Sequence, residues 1–495
     1  MRRVQPRTVM LSLAFLLVAF SAVMQPTAAY LNRERYPHEK AAAPVAGMTE
    51  APSGTAAELS AFVTHLPIVV LEFAGEPGKH ALWDSRRQYA MSAEGNPFAE
   101  GVFRLYHSDK GANRLTDAPS VETRIQARYR GLTSLNFPKK QYLIKTLAPD
   151  GSQNPVDLLD MGLGWEWVLN ISHIDKSLMR NYLCLNVASR IMGYAPETRY
   201  CEAFRKRGDS YEYLGVYLLM EPVDRGDSRV KLTKYNPRHA ESAYLLRRDR
   251  FQENSVVLDT YATLNKLSAG YLEVLYPGRK KITARTVLYV ERDLGRLEKA
   301  LYSDDKAEFL ACRDMIDAVS FADYFIINEF FANYDAQWNS YYMHKNLRDY
   351  LKLGPVWDFD QSMGNSAPFV LNPRSTAMQN AVWFDRLLRD GKFLYLLKAR
   401  YHQLRQNELS EKNLYAFIDE VAAYLGDARR RDWSRWRYDN PRVLTLDAGD
   451  VLHPNLLVKR TYDEEIRAMK TMIHEHGTWM DQNIYAIFDH FVAVD

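Results

Sequence analysis

Two carboxylates flank one phenylalanine in "GPVWDFDQSMGN", residues 354–365, where Asp358 and Asp360 stand among Val356, Trp357 and Phe359. A run of Val, Trp and Phe reads as core, and a core keeps two acids only where something compensates them. A divalent cation is one such partner, because hard cations gather carboxylate and amide oxygens. Upstream, "NYDAQWNS" at 333–340 adds a third acid, Asp335, and an amide, Asn339. One carboxylate to face a hydroxyl and others to hold a cation make a donor set for moving a charged group onto that hydroxyl. Asp335 alone would read as an acid at a helix end, and its company is what changes the reading. The alternation of Asp358, Asp360 and Ser362 also matches the start of a calcium-binding EF-hand loop. That match fails, since Met363 holds the place where the loop needs Gly and Phe369 the place where it needs Glu.

The elements around these residues explain how they would meet. "AVSFADYFIINEFFANY" (318–334) is apolar nearly all round and predicts a buried helix. After it, "YYMHK", a turn at 346–349 and "YLKLGPVWD" read as a β-hairpin that delivers Asp358. The earlier half reads as short strands from "LPIVVLEF" onward, including "ETRIQARYRG" and "KKQYLIKTL". Between those two, Gly131, Thr133 and Ser134 suit close backbone and hydroxyl contact with phosphate. A helix is expected over "DKSLMRNYLCLNVASRIMG", with Asp175 as N-cap and Gly193 at its stop. Cys201 lies on the first strand of the hairpin that follows. On its second strand, Leu214, Val216, Leu218 and Met220 should share one face, with Tyr217, Leu219 and Glu221 on the other. From about 240 the pattern turns helical, with a join near Pro222–Gly226.

The chain has 495 residues, 47% of them hydrophobic and 25% charged, which predicts a globular protein of two or three lobes or domains. Its net charge of +3 argues against nucleic acid as a partner. The most basic stretch, "DARRRDWSRWR" (427–437), reads as a solvated helix end or a patch for an anionic partner. Residues 1–29 have a basic head, an apolar run of about fifteen residues and a small-residue site, the plan of a secretory signal peptide. Export is therefore expected, to the periplasm, the cell surface or beyond, with membrane contact only if that segment stays uncleaved as an anchor. Residues 30–60 read as a flexible linker. The three cysteines allow a Cys184–Cys201 bridge or three buried thiols, and form no metal-ligand pattern.

The order of buried helix, loop with Asp335 and Asn339, hairpin and Asp358 is that of a protein-kinase catalytic segment. Upstream, a lysine strand, a helix, a hairpin and "MEPV" in the place of an inter-lobe hinge follow in the matching order. With "RGLTSLNFPKKQYLIK", "WVLNISHIDKSLMRN", "YLGVYLLMEPVDR", "NYDAQWNSYYMHK" and "GPVWDFDQSMGN", the chain resembles the CotH kinases, a family named for a spore coat protein. The resemblance covers most of the chain after the linker, and "GTWMDQNI" resembles the family's helical tail.

It implies an α+β, atypical protein-kinase-like two-lobed fold, with a β-rich N-lobe over 61–225 and a mainly helical C-lobe over 226–370. A helical extension of the C-lobe would occupy 371–495. It implies ATP with Mg²⁺ or Mn²⁺, and phosphoryl transfer to Ser or Thr of secreted or surface proteins. By position, Asp335 is then the catalytic acid, and Asp358, Asp360 and Asn339 would hold the metal. Gly131, Ser134, Met220 and Glu221 would border ATP, and either Lys140 or Lys145 would contact phosphate. Ser177 and Arg180 would fix the interior.

Three departures accompany the resemblance. Asn339 is four residues after Asp335, and Ser340 holds the fifth place, where protein kinases have Asn. Asp360 replaces a glycine, so that either acid can be the principal ligand. The helix at 175–193 offers no Glu to pair with a lysine. A kinase-like scaffold without catalysis is the rival reading.

Overall fold

Strands β1 (Ser53–Thr55), β2 (Ile68–Phe73), β3 (Ala99–Tyr106), β4 (Val121–Tyr129), β5 (Tyr142–Leu147), β6 (Glu166–Asn170), β7 (Thr198–Arg207) and β8 (Ser210–Met220) form one sheet. Their order is β1-β8-β6-β5-β4-β3-β2-β7, and β7 also pairs with β8, so the sheet closes on itself. Closure removes the unpaired edges that an open sheet must protect. The β2–β7 pair is parallel and the other pairs are antiparallel. These contacts come from a computed structural model that describes residues 36–84, 89–92, 95–250, 252–267, 271–365, 372–378, 380–437 and 461–484. The export signal expected over 1–29 lies outside the described residues.

Period-2 alternation explains the two faces of this sheet. Trp167 and Leu169 of β6 join Val69, Phe103, Ile125, Ile144 and Cys201 in one apolar cluster inside the ring. Val168, one step out of phase, joins Leu143 and Tyr200 in the larger cluster of the helical half. β8 corrects the expected pattern. Ala203 pairs with Gly215 and Phe204 with Tyr213, leaving Leu214 as the extra residue of a bulge. The bulge shifts the phase, so Leu214 faces inward with Tyr217 and Leu219, while Val216, Leu218 and Met220 face out. Gly215 has φ 111°, and a Cβ there would stand 2.3 Å from Asp432 Oδ1. Cys201 belongs to the cluster inside the ring and Cys184, on the helix over 180–191, to the larger one, so they are free, buried thiols rather than a bridge.

Residues 36–60 also differ from the expected linker. Ser53–Thr55 pairs with residues 210–212 of β8, an edge that β6 covers only over 218–220. The helical turn Pro37–Lys40 sets His38 against Tyr182, with the backbone N–H of His38 donating to Tyr182 Oη at 3.1 Å.

Helix α1 (Arg180–Ile191) begins five residues after Asp175, because Leu178 takes φ 62° and breaks any earlier turn. Asp175 still caps it from a distance, accepting from the Arg180 N–H at 2.8 Å and from its guanidinium at 2.6 Å.

The second half holds β9 (Tyr244–Arg248), β10 (Leu272–Tyr276), α2 (Ala284–Leu301), α3 (Ala318–Phe330), β11 (Tyr341–Lys345), β12 (Lys352–Leu353), α4 (Gly391–Gln406), α5 (Glu411–Trp436) and α6 (Tyr462–Asn483). The expected hairpin is β11–β12, and it sits in an antiparallel sheet of order β10-β9-β11-β12. α5 kinks at Gly426, and its end is solvated on one side only, at Arg430 and Arg437. Arg431 is buried against Glu202 at 2.7 Å, and Trp436 joins the cluster inside the closed sheet. The chain is thus a mixed α+β protein with one large sheet and a helical second half.

Candidate active site

The first acid is set by the end of α3. Ala332, at φ 48°, turns the chain out of the helix, and Asn333 Nδ2 donates to Asn328 Oδ1 at 3.0 Å and to the Asp358 carbonyl at 3.2 Å. A 3-10 turn, Tyr334–Gln337, then carries Asp335. Asn339 Nδ2 donates to Asp335 Oδ1 at 2.9 Å, which orients that carboxylate. Ser340 is at φ 55°, and its hydroxyl donates to Asp358 Oδ2 at 3.3 Å. Ser340 therefore stands beside the second acid, where the sequence expectation had put Asn339.

The second acid comes off the β11–β12 hairpin with Asp358 at φ 64°, a left-handed conformation that a non-glycine residue keeps only when its surroundings enforce it. The surroundings do so from α1 and α6. Asn181 Oδ1 accepts from the Phe359 N–H at 2.7 Å, and Arg180 Nε donates to the Ser362 carbonyl at 3.1 Å. Arg180 is in turn held between Asp175 at 2.6 Å and Glu465 of α6 at 2.9 Å. Asn365 Nδ2 donates to the Asp360 carbonyl at 2.6 Å. The helix that lacks a Glu for a strand lysine instead anchors the acidic loop directly.

Asp335, Ser340, Asp358 and Asp360 line one cavity of about 180 Å³ with Gly131 and Ser134 from the loop between β4 and β5. Five of the expected site residues are thereby gathered in one place. Loss of solvation pushes the Asp358 carboxyl up to about 6, and the charge of Asp335 adds to the rise while Arg130 opposes it. Asp360 is held well above the usual carboxylate range by burial first, then by Asp358 and Asp335. Asp335 is raised by burial against the hydrogen bond from Asn339. Asp335 raises Asp358, and both raise Asp360, so burial makes these acids costly to ionise together, and the donors are all oxygens. That set fits a hard divalent cation.

Three His, Asp or Glu ligand atoms lie within 4.8 Å of one another, among the described residues, at His38, Glu39 and Glu420. The cleft acids are spread more widely. A cation there would take one or two of them and complete its shell with phosphate and water oxygens, as Mg²⁺ commonly does.

The other expected residues sit elsewhere. Lys145 Nζ is 3.1 Å from Glu166 Oε1 and lies over the rings of Phe98 and Trp165. Lys140 Nζ donates to the Leu135 carbonyl at 3.2 Å. Lys139 is fully buried, 2.6 Å from Asp432 of α5. Met220 ends β8 in the large apolar cluster, and Glu221 accepts from Tyr194 Oη at 3.2 Å and from the Glu197 N–H at 3.0 Å. None of these lines the acidic cavity. Among the lining residues the sequence reading missed are four arginines, Arg128, Arg130, Arg247 and Arg250, and a fourth acid, Asp249. The first two precede Gly131 in "RYRG", where the glycine drew the attention and the cations did not.

A family model described as CotH kinase protein matches residues 127–480. No curated protein matches the chain.

Proposed function

The chain belongs to the CotH kinase family, and on that premise we propose that it is an ATP-dependent protein kinase acting on Ser or Thr of exported or surface proteins. The observation that carries the proposal is the meeting of Asp335 and Asp358, 23 positions apart in number, with the Gly131–Ser134 loop at one cavity. In the transfer, an acceptor hydroxyl oxygen bonds to the γ-phosphorus of ATP, the bond to the ADP oxygen breaks, and the hydroxyl proton passes to Asp335. Asn339 holds Asp335 in place for that proton, and burial raises the affinity of Asp335 for protons, the direction a general base needs. Asp358 and Asp360 are the residues that would hold Mg²⁺ or Mn²⁺, which when bound neutralises charge on the phosphates. Ser340 steadies Asp358, and α1 steadies the loop behind both acids. Positioning and charge compensation then supply most of the rate.

Export rests on the N-terminal segment read from sequence. Among the described residues, no helix is long and apolar enough to cross a membrane.

The test is transfer of labelled γ-phosphate to a generic acceptor protein by the full chain with Mg²⁺ or Mn²⁺, beside Asp335→Ala and Asp358→Ala. Label transferred by the wild type and reduced at least about 100-fold in each variant supports the kinase. A second reading, a kinase-shaped scaffold, is favoured by Ser340 standing in the place of the metal-binding Asn of protein kinases. No transfer, together with no rise in melting temperature on adding Mn²⁺–ATP, would select it.

A further inference from the structure

The acidic cavity is also lined by arginines that the proposed reaction leaves without a role. Arg128 and Arg130 reach it from the end of β4, and Arg250 from the segment after β9. Arg130 lies with its guanidinium 5.0 Å from the centre of the Trp357 ring, the residue before Asp358. Arg250 Nη1 donates to Thr133 Oγ1 at 3.2 Å, tying the second half of the chain to the Gly131–Ser134 loop. Arg247, the fourth arginine, already meets Glu273 and Asp249. Burial pushes Arg128 down to about 10, helped by Arg130 beside it, and burial lowers Arg130 as well. Arg130 and Asp358 partly offset each other, yet burial still leaves the acid raised and the arginine lowered, and a phosphate chain carrying a divalent cation would relieve both.

The lysines have other duties. Lys139 is committed to Asp432, Lys145 to Glu166, and Lys140 to the Leu135 carbonyl. The strand after the loop hairpin, β6, reads Glu166-Trp167-Val168-Leu169-Asn170 and carries no lysine. An ammonium on a protein-kinase strand would normally reach the phosphates, and here a guanidinium is the group in reach.

We propose that Arg130, stacked on Trp357 at the mouth of the acidic loop, binds the phosphates of the nucleotide in place of a strand lysine, with Arg250 holding the Gly131–Ser134 loop over them. This rests on the nucleotide reading above and adds the residue that grips the polyphosphate. A planar guanidinium fixed against an aromatic face can offer two parallel N–H donors to one phosphate, which a flexible ammonium cannot. The stack also makes Trp357 the link between phosphate position and the backbone of Asp358.

The experiment is titration of the full chain with Mn²⁺–ATP, Mn²⁺–ADP and adenosine, using wild type, Arg130→Gln, Arg130→Lys and Lys145→Gln. Arg130→Gln is expected to weaken ATP and ADP by roughly 30-fold or more, the worth of a charged hydrogen-bond pair, and to leave adenosine within about 2-fold. Arg130→Lys should recover part of that loss, and Lys145→Gln should bind ATP within about 3-fold of wild type. Unchanged adenosine binding shows that Arg130→Gln is folded, and Arg130→Lys makes the same comparison if it is not. ATP binding retained by Arg130→Gln, or lost by Lys145→Gln, overturns the assignment and leaves the kinase reading standing. A wild type that binds no nucleotide overturns both.

Discussion

Asp358 makes stability depend on pH in a direction opposite to that of an ordinary ion-paired acid. Its folded-state value is raised from the usual 3.8 to about 6, so the folded protein binds that proton more tightly than the unfolded chain does. The stabilisation from this proton is full below 3.8 and is lost as pH rises to about 6. In the absence of divalent cation, wild type should therefore melt lower at pH 8 than at pH 5 by more than Asp358→Asn does. Mn²⁺ should close the gap for wild type and leave the variant unmoved, which thermal melts at the two pH values would read. A wild type and variant with parallel pH profiles would contradict the raised proton affinity of Asp358. Asn339 makes a separate prediction. Its amide touches Asp335 and not Asp358, so Asn339→Ala should lower kcat by roughly 10-fold with little change in KM for ATP. A rise in KM for ATP with kcat intact would instead return Asn339 to the metal.

Among the elements, α5 has the effect least expected from its composition. Its basic run looked like surface, yet Asp432 accepts from Lys139 Nζ at 2.6 Å and from the Val216 N–H at 2.7 Å, with both side chains fully buried. The carboxylate thus answers a lysine from the motif and a backbone group at the β8 bulge together. Removing one partner leaves a buried charge uncompensated, so Lys139→Met should cost about 3–5 kcal/mol in urea unfolding. Asp432→Asn should cost a similar amount, while the double change to apolar residues should cost less than the two single changes summed. Loss of activity in a Lys139 variant would then reflect folding, and nucleotide affinity measured on the folded fraction should be unchanged. The Gly215 bulge belongs to the same contact, and Gly215→Ala should destabilise because its Cβ would meet Asp432.

For the whole molecule, the acidic loop depends on residues more than 100 positions away in number. Glu465 of α6 holds Arg180, and Arg180 holds the Ser362 carbonyl behind Asp360. His476, also in α6, lies with Nε2 2.8 Å from the Glu329 carbonyl at the end of α3. α6 therefore braces both halves of the site from behind. A chain cut after residue 437 should lose Mn²⁺–ATP-dependent stabilisation even if the closed sheet still folds, and circular dichroism with thermal melts would separate those outcomes. Glu465→Gln is the gentler version, expected to lower the melting temperature without abolishing nucleotide binding.

Much of this was legible in the chain alone. The apolar helix before Asp335, the hairpin before Asp358 and the family motifs are local, since periodicity and turn residues act over a few positions. The amino-acid order thus determined which acids would meet, and that an oxygen-donor site lay between a loop and a hairpin. Tertiary structure decided what no local pattern encodes. It chose Ser340 over Asn339 beside Asp358, because left-handed backbone at Ser340 turns its hydroxyl inward. It moved Leu214 across the sheet, because one bulge reverses an alternation that sequence can only count. It committed Lys139 and Lys145 to acids on other elements and left Arg130 facing the cleft, because burying a charge requires a partner brought in from elsewhere in the chain.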